Sequence, residues 1–281
     1  MTPQTALAPS IEDEVPPHTA AFFRRALQVL SDAGVPFLVG GAFAHACFTG
    51  IRRPTKDLDL FIRRGDYDRA AALMQGEGWR AELTYPHWLA KVYAGSDFID
   101  LIFNSGNGVS PVDDLWFRDN AQAEVLGVPV RIANMEDGLL SKAFIMERER
   151  FDGADIAHLL LSQAEEVDWP LLVQRFGSHW RVLLAHLTLF GYIYPGERHR
   201  VPSWVMQELT RRLAAETALA PETDPHVCAG TLLSRAQYLH DVRQLGFVDG
   251  RLTPASTMTP QDVAVWTDAI AAPDAGAGPR P

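Results

Sequence analysis

Lysine is scarce in this chain: Lys56, Lys91 and Lys142 are the only three among 25 basic residues in a sequence of 281. Arginine therefore supplies nearly all of the positive charge, and the position of each lysine carries information. Positive charge as a whole is short as well, since the formal net charge is −10. That balance excludes a surface that wraps nucleic acid nonspecifically, because such surfaces neutralise phosphates with clustered Lys and Arg; a local basic groove is all it leaves room for. Cysteine is rarer still. Cys47 and Cys228 cannot build a disulfide framework, and neither has the paired spacing of a zinc site. Long apolar runs are missing too: the longest, VLLAHLTLFGYIY from Val182 to Tyr194, is too short and too interrupted to span a bilayer. The N-terminal PSIEDEVPP is acidic where a secretory signal would be basic and then apolar, so a cytoplasmic protein with no membrane partner is expected.

What is present suits a globular chain: 47% hydrophobic and 21% charged residues can fill a sizeable core. Residues 1–17 and 270–281 are rich in Pro, Ala and Gly without periodicity and read as mobile tails. In AAFFRRALQVLSDAG the apolar Phe22, Ala26, Leu27 and Leu30 share a face and the pattern stops at Gly34, which predicts an amphipathic helix. VPFLVGG then reads as a short strand ending in Gly40 and Gly41, AFAHACFTG as a short helix closed by Gly50, and DLDLFI as the next strand. A helix is expected from Tyr67 to Gly76, a hairpin over WLAKVYAGSDFIDLIF with its turn at Ala94 to Asp97, and a further strand from Val128 to Ala133. Beyond residue 134 strand signals thin out, and Met135 to Gln163 and most of Trp169 to Leu245 read as helix. The fold class is therefore α+β: a core over 18–134 with a mixed sheet flanked by helices, then a mainly helical domain over 135–269.

Side chains in a strand alternate faces, so Asp57 and Asp59 point the same way while Leu58 and Leu60 face the core. Two carboxylates this close raise each other's pKa unless a cation sits between them, and an all-oxygen ligand set suits Mg²⁺. Within FIDLIF, Asp100 shares a face with Phe98 and Ile102, opposite Ile99, Leu101 and Phe103. An acid inside such a strand needs a cation or a solvent-filled cleft, because a buried unpaired carboxylate costs several kcal/mol. Asp97 and Asp113 are the competing positions for this third acid. Gly40 and Gly41 end a strand and open a helix, which lets a ligand approach the backbone and offers free N–H groups to an anion such as a triphosphate. Acids, glycine turn and helix together describe metal-assisted chemistry on a nucleotide.

The Gly40-Gly41 pair followed by RPTKDLD, Arg53 to Asp59, resembles the nucleotidyltransferases of the DNA polymerase β superfamily, and its Arg-x-Thr-x-Asp-x-Asp form is similar to the abortive-infection toxin type. The resemblance implies a nucleotidyltransferase-type sheet and the transfer of a nucleoside monophosphate from an NTP, ATP among them, to an acceptor hydroxyl with release of pyrophosphate. It implies that Asp57, Asp59 and Asp100 are catalytic and hold two Mg²⁺ ions, or Mn²⁺, and that Gly40, Gly41, Arg53, Thr55 and Lys142 bind the nucleotide. Met135 to Leu160 resembles the family's lysine-bearing helix followed by a basic segment and Asp-x-x-Asp, so Arg148 or Arg150 is expected to assist Lys142, and Asp152 and Asp155 to cap or orient the next helix. The acceptor is left open between tRNA, a small molecule and a protein, and the competing expectation is a noncatalytic nucleotide-binding partner in a toxin-antitoxin-like system. His179, His186, Trp180, Phe190, Tyr192 and Tyr194 are expected to be structural, and Glu197 to Pro202 a solvated loop.

Overall fold

The computed structural model describes residues 15–219 and 226–269. The expected tails thus lie outside the described residues, except that Val15 is buried and Pro17 already opens the first helix, α1 (Pro17–Asp32). Phe23, Ala26, Leu27 and Leu30 of α1 are inaccessible to solvent, as the spacing requires of a helix laid on a sheet.

After α1 the chain runs through β1 (Leu38–Val39), α2 (Gly41–Thr49), β2 (Asp59–Phe61), α3 (Tyr67–Gly76), β3 (Arg80–Tyr85), β4 (Leu89–Ala94) and β5 (Asp97–Ile102). The five strands form one mixed sheet in the order β1-β2-β5-β4-β3. Only β2 and β5 run parallel; β1 against β2, β5 against β4 and β4 against β3 are antiparallel. Period-two alternation gives the sheet two unlike faces. Leu58, Leu60, Ile62, Ile99, Leu101 and Phe103 pack under α1 and α3 in the main core. The opposite face carries Asp59 and Asp100 and is closed beside them by Phe61 packed against Trp116, the rings tilted by 40° with centroids 4.7 Å apart.

A separate hairpin, β6 (Gln122–Val125) with β7 (Val128–Arg131), precedes the helical half. That half contains α4 (Met135–Ala143), α5 (Gly153–Gln163), α6 (Trp169–Phe176), α7 (Trp180–Ile193) and α8 (Ser203–Thr217), which share a second core around Leu139, Leu160, Leu172, Phe176, Phe190, Val205 and Leu209. Phe48 of α2 packs against both cores. Further along, β8 (Val227–Cys228) pairs with β9 (Val248–Asp249) around α9 (Leu239–Gln244). The last helix, α10 (Pro260–Asp268), returns to the α/β half, where Trp266 meets Tyr85 and Trp88 edge-on at 4.7 and 5.3 Å.

Strands β3 and β6 add to the expected elements, although RAELTY and QAEV both alternate polar and apolar residues. Three expectations are corrected. The helix expected over Met135 to Gln163 is interrupted from Phe144 to Asp152, where Met146 and Phe151 form an isolated antiparallel bridge. This break folds the basic segment back, so that Lys142 at the end of α4 reaches Asp152 and Asp155. The short pair β8 and β9 is strand within the helical half. Tyr192 is 82% exposed rather than core, because α7 buries the face of Trp180, Leu183, Leu187 and Phe190 and turns Tyr192 outward.

Candidate active site

The parallel register of β2 and β5 sets Asp59 directly beside Asp100. Asp57 lies one residue before Leu58, whose carbonyl accepts from the Asp100 N–H at 3.0 Å, so the extended backbone carries Asp57 onto the same face. One carboxylate oxygen from each of Asp57, Asp59 and Asp100 lies within 4.8 Å of the other two. The structure therefore brings together all three acids singled out from the sequence, and Asp97 and Asp113 are elsewhere: Asp97 accepts from Thr19 at 3.1 Å, and Asp113 caps a short turn at Leu115.

The glycine pair packs against these acids. The Gly40 N–H donates to the Asp59 carbonyl at 2.9 Å, and Gly41 has φ of +54°. A Cβ at Gly41 would overlap the Asp59 carboxylate, and one at Gly40 would overlap the Phe61 ring. Glycine is thus required by sterics as well as by the open backbone. The first turn of α2 has no side-chain cap, so its N–H groups are free to meet an anion beside the carboxylates.

The other expected nucleotide contacts are held in hydrogen bonds and ion pairs, with the Lys142 and Arg150 charges near enough to act on Asp59. Thr55 Oγ1 donates to Asp57 Oδ1 at 2.9 Å and orients that carboxylate. Arg53 donates to Asp155 Oδ1, while Lys142 Nζ donates to Asp155 Oδ2 at 2.7 Å and Asp152 Oδ2 at 3.2 Å. Arg150 makes a two-point contact with Asp152, both bonds 3.0 Å; Arg148 and Arg150 are both exposed. Asp152 sits at the N-cap of α5 without a side-chain cap bond, so the two acids expected to cap that helix instead hold cations.

Lys91 was not foreseen as a site residue. It faces Asp100 across β4 and β5 and donates from Nζ to Oδ1 at 2.7 Å, with the same ammonium 4.0 Å from the Phe98 ring. The signal was present: the two-residue turn at Gly95 and Ser96 pairs Ala94 with Asp97 and so places Lys91 opposite Asp100. Lys56, the remaining lysine, is exposed.

Electrostatics at the site are strained. Burial, then the charges of Asp57 and Asp100, push Asp59 up to about 7; Lys142 and Arg150 only partly offset this. Burial also raises Asp100, to about 6, against the pull of Lys91. Both acids hold protons more tightly when folded, so between about pH 4 and 7 the native state binds more protons than the unfolded chain and stability falls as pH rises. The buried His45 and His186 and the half-buried His87 and His179 have the opposite sign: desolvation lowers each of them, and their contribution is lost as pH falls below the unfolded value. The magnesium-dependent part of the melting temperature separates the two. Binding to this cluster requires ionised acids, so Mg²⁺ against EDTA is expected to raise Tm little at pH 5 and by several degrees at pH 8, on a scale of about 2–4 °C per kcal/mol. Equal shifts at both pH values would contradict binding at the acids.

A mixed sheet that presents three clustered aspartates beside a glycine turn and a helix N-terminus, backed by a helical half, defines a nucleotidyltransferase-type frame. The chain belongs to the family described as "Uncharacterised nucleotidyltransferase", whose sequence profile matches residues 20–189, more than half of its length. Among solved structures it is similar to the antibiotic-resistance factor ANT(2'')-Ia, at 17% identity and a TM-score of 0.42 over 60% of this chain and 96% of that one. It is also similar to the lincosamide antibiotic adenylyltransferase LnuA in its lincomycin-bound form, at 14% identity and a TM-score of 0.37, covering 52% of this chain and 96% of that one. JHP933 from Helicobacter pylori matches at 12% identity and a TM-score of 0.33, covering 73% and 98%. None of these likenesses is close enough to bear on the substrate of this chain. No curated protein sequence matches it. Among the described residues no helix is long and apolar enough to cross a membrane.

Proposed function

We propose that this chain transfers a nucleoside monophosphate from an NTP to an acceptor hydroxyl and releases pyrophosphate, in the manner of the abortive-infection nucleotidyltransferases. The convergence of Asp57, Asp59 and Asp100 beside the Gly40-Gly41 turn carries this reading. An all-carboxylate donor set in which burial and neighbouring acids raise Asp59 to about 7 and burial raises Asp100 to about 6 fits a hard dication, one or two Mg²⁺ or Mn²⁺. Bound there, such ions would neutralise the triphosphate and polarise the α-phosphoryl group. Asp57 and Asp59 hold them, with Thr55 fixing the rotamer of Asp57. The α2 N-terminus receives the phosphates on backbone N–H groups. Lys142, Arg53 and Arg150 exchange Asp152 and Asp155 for phosphate oxygens. Asp100, raised to about 6, takes the proton of the acceptor hydroxyl as its oxygen bonds to the α-phosphorus and the bond to the leaving pyrophosphate breaks. Lys91 fixes the orientation of the Asp100 carboxylate.

Incubation with each α-labelled NTP, Mg²⁺ and a cell extract, followed by measurement of pyrophosphate and of the species that gains label, tests the reading. Label in RNA, protein or a small molecule names the acceptor. Nucleotide binding with no pyrophosphate from any of the four NTPs would favour a noncatalytic partner. Growth arrest on expression would point to a toxin role in the cytoplasm and antibiotic protection to a resistance role. Thr55→Val is expected to lower the transfer rate about 10–100-fold, the usual effect of removing a ligand-orienting bond, with Tm nearly unchanged. A change under twofold would remove Thr55 from the site.

A further inference from the structure

A second cluster lies apart from the three aspartates. His45 of α2 and Asp155 and His158 of α5 each offer one ligand atom within 4.8 Å of the other two. Asp155 and His158 are three apart in sequence, so they stand one above the other on a single helix face turned to α2.

His45 is 3% exposed, and its Nε2 is buried with no hydrogen-bond partner. The Thr49 hydroxyl donates to the His45 carbonyl at 2.7 Å, accepts from the Ile51 N–H at 3.1 Å and lies 3.3 Å from His45 Nδ1, which holds the ring with Nε2 turned to α5. Nε2 faces Asp155 Oδ1 at 3.8 Å, too long for a hydrogen bond, and His158 Nδ1 is also buried and unpartnered. Asp155 is already paired with Arg53 and Lys142, so what the cluster leaves unsatisfied is the two buried imidazole nitrogens, which a metal ion shared with Asp155 would engage. A hydroxyl oxygen that fixes the far nitrogen of the imidazole is the outer support that metal-binding histidines use. Burial lowers His45 to about 4, so the imidazole is neutral and free to ligate at physiological pH.

We propose that His45, Asp155 and His158 bind a transition-metal dication of the zinc type, which fastens α2, the helix that opens at the glycine turn, to α5 of the helical half. Two imidazole nitrogens and one carboxylate oxygen are a borderline donor set, which suits Zn²⁺ and distinguishes this cluster from the all-oxygen one. Because Asp155 Oδ1 also accepts from Arg53, the cation displaces that guanidinium, whose side chain is 49% exposed and has room to swing away. The site does not depend on the transferase reading.

Co²⁺ titration of the metal-free full chain, followed by its visible d–d absorption and by Zn²⁺ competition, tests it. One Co²⁺ per chain, displaced by Zn²⁺, is expected in an Asp57→Asn, Asp59→Asn double variant that lacks the all-oxygen site, with bands like those of the wild type and affinity down about 100-fold when His158→Ala is added. His45→Gln serves as the second variant if His158→Ala melts early, with circular dichroism to verify folding. Absence of bands, bands that follow Asp57 and Asp59, or affinity indifferent to both histidine substitutions would overturn the proposal.

Discussion

Asp59→Asn is expected to lower nucleotide transfer at least about 10³-fold, some 4 kcal/mol of barrier, while the metal-free protein at pH 8 melts no earlier than the wild type. Both halves of this result come from the same geometry. Asp59 stands in register with Asp100 and beside Asp57, so its charge is tolerable only with a cation at hand. Asparagine keeps the shape and removes the charge that burial and the neighbouring acids oppose, which relieves the folded state above pH 7. It also removes a ligand, so the magnesium-dependent rise in Tm is expected to vanish in the variant. Single-turnover transfer and thermal melts with Mg²⁺ or EDTA check both. A variant that transfers within tenfold of wild type, or that melts much earlier without metal, would mean that Asp59 serves the fold and not the chemistry.

Gly41→Ala is expected to cost about 10²-fold in transfer and about 1–3 kcal/mol in stability, although it adds one methyl group. The strain has two sources. At φ of +54° an L-residue pays a backbone cost, and its Cβ would occupy the space of the Asp59 carboxylate. Either the turn or the acid must move, and displacement by about an ångström is enough to uncouple the metal ligands from the phosphates on the α2 N-terminus. A neighbouring substitution such as Ala42→Ser leaves both features in place. Urea denaturation gives the stability difference and the transfer assay the rate; wild-type activity in Gly41→Ala would show that the turn and the acids are independent.

The acid trio was legible in the sequence because a period of two fixes faces: Asp57 and Asp59 opposite Leu58 and Leu60, Asp100 opposite Ile99 and Leu101. That β2 and β5 are neighbours was an inference from chemistry, since strand pairing over 40 residues leaves no local mark. Lys91 was legible and overlooked, for the turn at Gly95 and Ser96 dictates its partner. The break between α4 and α5 was hidden, because MERER is built of good helix formers. There, the long-range bonds of Met146 to Leu233 and of Glu147 to Arg235, with the ion pairs of Lys142 and Arg150 to Asp152 and Asp155, prevail over local propensity. Tyr192 was misplaced for a related reason: in a run as apolar as LFGYIY the buried face shows only in the longer period set by Leu183, Leu187 and Phe190. The meeting of His45 with His158 joins residues of two separate elements and leaves no trace in sequence spacing.

The central claim is that three aspartates gather divalent metal beside a backbone cradle for polyphosphate. Crystals grown with Mn²⁺ and a non-hydrolysable NTP, measured near the manganese edge, address it directly. Anomalous density is expected among the Asp57, Asp59 and Asp100 carboxylates, with the triphosphate running to the N-terminus of α2. Nucleotide bound with no manganese at those side chains, or manganese and nucleotide both bound elsewhere, would contradict the account.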